Sequence, residues 1–277
     1  MATENALLAI LVEKISNDTL VLPTLPAIAL KVRKAADDPN INLNAMADVV
    51  GQDPSLSARM VKIANSAYLG RTVKVASTTQ AVTRIGLSQV KNIATALAME
   101  QLFVSKNEVV KAYMTNKWNS TVNLVGNAMA VMALYKKSSK NKLLSLDTMT
   151  LSGLVADIGA LPVLTEAERH DSIFANPTFL DVAIEKMSGR IGGSIMREWQ
   201  FNEIFIEVAE NWRDLSYTTP SVSYIDFIRV GAALTNSIDD VEGVLATAKE
   251  RGVFGEIEDL LTDEFYEMRD NAKAIFM

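Results

Sequence analysis

Residues 109–135 leave this chain the least freedom. They contain no proline, and Trp118, Val122, Val125, Met129 and Met132 follow at spacings of 4, 3, 4 and 3. That step returns a side chain to the same face of an α-helix. The spacing predicts one long central helix, whose apolar stripe needs other helices packed along it. Composition agrees: aromatics are 6% of the chain, only seven residues are proline, and Ala, Leu, Met and Val are abundant, which favours helices over sheets. The prediction is an all-α, multi-helix bundle.

Helix starts and stops divide the remainder. Residues 4–15 predict a first helix. Pro26 opens a second that Asp37-Asp38-Pro39-Asn40 breaks, and Asn42 caps a third that Gly51 stops. Asp53 and Pro54 are a cap and a first helical residue, after which Leu56, Met60 and Ile63 share a face opposite Ser55, Arg59 and Lys62. Ser77-Thr78-Thr79-Gln80 matches a capping box, and Ser88 is placed to cap residues 89–103. Later helices are predicted at 146–164, interrupted by Gly159 and Pro162, then at 177–187, 190–199, 203–214, 224–237 and 256–275, with 217–224 read as a linker.

Several functions are excluded early. The chain has no cysteine, which removes disulfides, thiolate zinc sites, Fe–S clusters and thiol nucleophiles together and suits a reducing cytoplasm. The opening MATENALLAILVEKI is too short an apolar run to span a bilayer and lacks the basic start of a signal peptide, so no membrane association is expected. Walker A, dinucleotide-binding and nucleophile-elbow patterns are absent. Charge is uneven. Residues 1–138 carry 15 basic and 9 acidic residues, whereas 239–277 carry 4 and 11. That acidic segment, still rich in Leu, Ile, Phe and Val, is read as helical, either packed as permanent core or able to cover the basic first half as a switch.

The blocks LPTLPAIALKV, DDPN, GQDPSLSARMVKIANSAYLG, Ser77 to Val82 and Ile85-Gly86-Leu87 occur in an order that resembles the HDOD family, the HD-related output domains of bacterial signalling proteins. The resemblance implies an HD-like bundle with an N-terminal helical sub-bundle and a C-terminal helical extension. It divides the chain into an N-terminal helix (1–20), an HDOD domain (21–214) and an acidic helical extension (215–277).

The related HD phosphohydrolases bind metal through scattered histidines and a His-Asp pair, and the resemblance places those positions here. Ala156 stands where the paired His is expected, leaving Asp157; Ser120 and Ser188 fall at other His positions, and Asn211-Trp212 replaces a further pair. These are vestigial positions, and neither a metal nor a cofactor is expected. The one histidine, His170, lies outside those blocks; Glu166, His170 and Asp171 make an imaginable ligand set, but a solvated helix end is the plainer reading. Asp157 lies in an apolar run and must be paired or capped if buried.

The expected function is therefore non-enzymatic: a cytoplasmic signal-transduction module that docks a signalling protein partner or a small ligand, with Arg59, Lys62, Asn65 and Ser66 as candidate contacts. One alternative is a divergent metal-dependent HD-type phosphohydrolase. The other is a DNA-binding regulator, since residues 43–66 resemble a helix-turn-helix. Gln52 at an apolar turn position, Leu56 one residue early and the net charge of −6 argue against nucleic acid as a partner.

Overall fold

A computed structural model describes residues 2–66, 69, 73–138, 143–169 and 177–276. Among the described residues there is no strand, so the chain is all-α as its periodicity predicts. The helices are α1 (Ala2–Ser16), α2 (Ala27–Ala36), α3 (Leu43–Gly51), α4 (Pro54–Ala64), α5 (Thr78–Ile85), α6 (Leu87–Ala98), α7 (Glu108–Ser138), α8 (Leu146–Val155), α9 (Ala160–Arg169), α10 (Pro177–Glu198), α11 (Glu203–Asn211), α12 (Tyr224–Ala233), α13 (Val241–Glu250) and α14 (Asp263–Lys273). The turns Met99–Leu102 and Ile257–Leu261 are 3-10 helical.

The chain forms two compact units, each assembled from three stretches. The first comprises Met1–Thr24, Gln101–Thr121 and Ser152–Pro220; the second comprises Leu25–Glu100, Val122–Leu151 and Ser221–Met277.

In the second unit, α2 packs on α6, while α3 and α4 both pack on α5. Their starts follow the sequence signals. Asn42 Oδ1 accepts from the Ala45 amide at 3.0 Å, and Asp53 Oδ1 accepts from Leu56 at 2.9 Å with Pro54 in the first turn. Leu56, Met60 and Ile63 are buried as their shared face requires. Other signals are displaced. Pro26 is the N-cap of α2 rather than its first residue, α3 runs through Gly51 to a cap at Gln52, and Gln80 Oε1 accepts from Ala76 N rather than closing a box on Ser77. Ser88 does not cap α6. The chain turns at Gly86 with φ +90°, a conformation that costs a glycine little, and the helix is already under way at Leu87.

The acidic segment 239–277 belongs to this unit's core. Val253, Leu260, Phe265, Ile275 and Phe276 are buried, and Arg251 forks onto Asp226 with Nε at 2.7 Å and Nη2 at 3.1 Å. Instead of one helix over 256–275, a 3-10 turn and a Thr262-capped α14 fill that stretch, and α13 precedes them.

In the first unit, α10 packs on α11 and α9, and α1 packs on α10 and α9. The predicted break near Gly189 is absent: α10 is continuous, and a Cβ at Gly189 would stand 2.6 Å from the Glu210 carbonyl oxygen. That glycine permits a close helix pair. The interruption predicted at Gly159 and Pro162 is instead the turn 156–159, and Pro162 sits in the first turn of α9, where a missing N–H costs nothing. Residues 146–169 have the length and composition of a membrane span, but most of that stretch is buried inside the protein.

Candidate functional site

Asp157 lies in the turn that joins α8 to α9. The turn closes through Ile158 N to Val155 O at 3.0 Å and Ala160 N to Asp157 O at 2.9 Å, which carries the carboxylate inward to 11% side-chain exposure. Two cations meet it there. Lys117, on α7, places its ammonium against Oδ2. Arg213, just past α11, forks both oxygens, with Nε to Oδ1 at 3.0 Å and Nη2 to Oδ2 at 2.7 Å. Arg213 also lies over the Trp212 ring, 4.1 Å from its centroid. One turn before Lys117, the Tyr113 hydroxyl donates to Asp181 on α10.

The electrostatics follow from this crowding. Burial on its own pushes the Asp157 carboxyl up, but the charges and hydrogen bonds of Lys117 and Arg213 outweigh it and hold the group well below the usual carboxylate range. For Arg213, burial pulls the guanidinium down while Asp157 more than restores it. Burial, then the bond to Asp181, pushes the Tyr113 phenol above its ordinary value. A shielded charge is tolerable only when paired, and here one carboxylate has two partners.

The vestigial positions separate into two groups. Ala156, Asp157, Ser188 and Trp212 come together: Trp212 Nε1 donates to Ala156 O at 2.8 Å, and a Cβ on Gly159 would stand 1.9 Å from Ser188 O. Ser188 Oγ is buried without a hydrogen-bond partner. Ser120 is exposed on α7, and Asn211 donates to Glu207 O in its own helix at 2.9 Å. Glu166 is also buried and meets Lys14 at 2.6 Å and Arg169 at 3.3 Å, while His170 and Asp171 lie outside the described residues.

This arrangement does not fit a metal centre. Uncharged side chains stand at the positions where imidazoles are expected, and both oxygens of the surviving carboxylate are already held by cations. Among the described residues, no group of three or more His, Asp or Glu side chains is placed to hold an ion.

The candidate contacts on α4 have mixed fates. Arg59 pairs with Glu100 at 2.5 Å, and Lys62 is exposed. Asn65 spends its amide internally, donating to Val75 O and accepting from Val75 N, both at 2.8 Å; Ser66 Oγ donates to Ile63 O at 2.7 Å. Asn65 thus holds the end of α4 to the chain that follows, and Ser66 bonds back into the last turn of α4. In the same unit a cavity of about 170 Å³ is walled by Ile63, Ile93, Leu97 and Phe276, with Lys136 and Asp147 at its polar part. The sequence reading missed this cavity, along with Lys117, Arg213 and Tyr113. The available signal was a lysine at the i+4 position from Tyr113 and an arginine directly after Asn211-Trp212, beside two of the degenerate blocks.

Residues 22–214 match the HDOD domain family. A solved structure from Shewanella amazonensis, whose name assigns it by inference as a metal-dependent phosphohydrolase, is 41% identical and superposes with a TM-score of 0.95 over 100% of both chains. A Marinobacter aquaeolei protein named by inference for signal transduction is 20% identical, with a TM-score of 0.63 over 99% of this chain and 65% of that one. A Treponema pallidum protein of uncharacterised function is 22% identical in an alignment of 221 residues that covers 74% of this chain, which spans only 41% of that relative's length.

Proposed function

The chain belongs to the HDOD family, and from that premise we propose that it is a non-enzymatic module of bacterial signal transduction that acts by docking a partner. The observation that carries this reading is the state of Asp157. Its carboxylate is bound by Lys117 and Arg213, so it is neither a free metal ligand nor a general base poised near neutral pH. With no imidazole in the blocks around it, the site lacks the groups that would activate water for attack on a phosphate.

The docking surface in this reading is the α4 face of Arg59 and Lys62, and the partner is an acidic surface of a signalling protein in the cytoplasm. Nucleic acid and membrane have no part in it. A second reading, small-ligand docking, is favoured by the cavity near Ile63 and Phe276, whose 170 Å³ is the size that holds a small ring compound.

The test is an assay of the purified protein against phosphate monoesters and diesters with Mg²⁺, Mn²⁺ or Fe²⁺, beside Asp157→Ala. No turnover above that variant is expected. Metal-dependent turnover that disappears in Asp157→Ala would restore the phosphohydrolase reading, which the name of the 41% identical relative suggests.

A further inference from the structure

We propose that Lys117 and Arg213 act as a fixed pair of side-chain cations that clamps Asp157 and closes its site to divalent metal ions. This rests on the non-enzymatic reading and assigns the residues that enforce it. The clamp joins parts of the first unit remote in sequence: α7 through Lys117, the 156–159 turn through Asp157, and the segment after α11 through Arg213. Arg213 satisfies both carboxylate oxygens at once, the geometry a guanidinium supplies and an ammonium cannot. Lys117 adds a second positive charge on Oδ2, the oxygen Arg213 Nη2 already occupies. A divalent ion approaching Asp157 meets two positive charges and finds the edge that spans both carboxylate oxygens filled by Arg213.

Packing closes the same place. The Gly159 Cα lies so near Ser188 that even a Cβ would overlap its carbonyl oxygen, and it would stand 2.6 Å from the Gly192 amide nitrogen. Ala156 and Ser188 are 2% and 1% exposed, so a larger side chain at either has to displace packed neighbours.

The experiment compares thermal unfolding of the full chain, Lys117→Met, Arg213→Met, the double variant, and each of these with Asp157→Asn, with and without Mn²⁺. Each single cation removal should lower Tm by roughly 5–15 °C, because it weakens the pairing of a shielded charge. Adding Asp157→Asn to the double variant should recover most of the loss, since no buried anion remains to be compensated. Mn²⁺ should leave the unaltered protein's Tm unchanged. If the double variant does not fold, recovery of a cooperative transition in the triple variant supports the clamp, and failure of the triple variant overturns it. Cation removals that cost the same Tm whether or not Asp157→Asn is present would also overturn it. So would a Mn²⁺-dependent rise in the unaltered protein that Asp157→Asn abolishes. The readout is stability, so a failed clamp is distinguishable from a failed docking function: the variants report whether the cations compensate Asp157, whatever partner capture shows.

Discussion

Asp157 is the residue at which solution conditions should be felt first. Its folded-state pKa is depressed, so its ionised form contributes stability fully above the unfolded-state value of about 4 and loses it as pH falls below that. Urea unfolding at pH 6, 4, 3 and 2 should show a stability gap between the unaltered protein and Asp157→Asn that narrows steadily with acidification. A gap independent of pH would mean that the carboxyl titrates alike in the folded and unfolded chain, so that the two cations do not hold it. Asn65 makes a separate prediction. Replacing it with Ala removes two hydrogen bonds to Val75 and should cost about 1–3 kcal/mol, with no loss of binding beyond what the stability change explains. The residue-scale lesson concerns range. Asp157 could be singled out as a carboxylate in an apolar run, but its partners lie 40 and 56 positions away in sequence, and no local pattern reports a contact at that distance.

At the scale of elements, legibility depended on whether a signal was local. The caps of α3 and α4 could be read because Asn42 and Asp53 act on amides three residues ahead; each changed to Ala should lose about 1 kcal/mol in denaturant unfolding. Glycine misled the reading because the same residue serves opposite purposes. Gly189 reads as a break but allows α10 to approach α11, whereas Gly86 does end a helix. The bounds of α13 went unread inside an acidic segment taken as helical throughout, although Asp240 Oδ1 marks its start by accepting from Gly243 N at 2.9 Å. Close packing gives another prediction. Gly159→Ala drives a methyl into the Ser188 backbone, and because a backbone atom cannot swing aside, the variant should lose well over ~2 kcal/mol or fail to accumulate as folded protein.

For the whole molecule, the acidic segment decides between core and switch. Phe265 and Leu260 are each 1% exposed and Phe276 is 3% exposed. Deleting residues 239–277 therefore removes interior from the second unit rather than lifting a cover from a surface. The truncated chain should aggregate or melt at much lower temperature, as light scattering and circular dichroism would register. A soluble, fully helical truncation with tighter partner capture would instead revive the switch.

The interleaving of the two units sets an order on the making of the protein. The last stretch of the first unit ends at Pro220, so on the ribosome that unit has all its parts while the tail is still being added. The second unit begins at Leu25 yet lacks its closing helices until the stretch after Ser221 emerges. The helices α2 to α6 pack chiefly on one another, so what waits for that stretch is the cavity wall that Phe276 completes against Ile63 and Ile93.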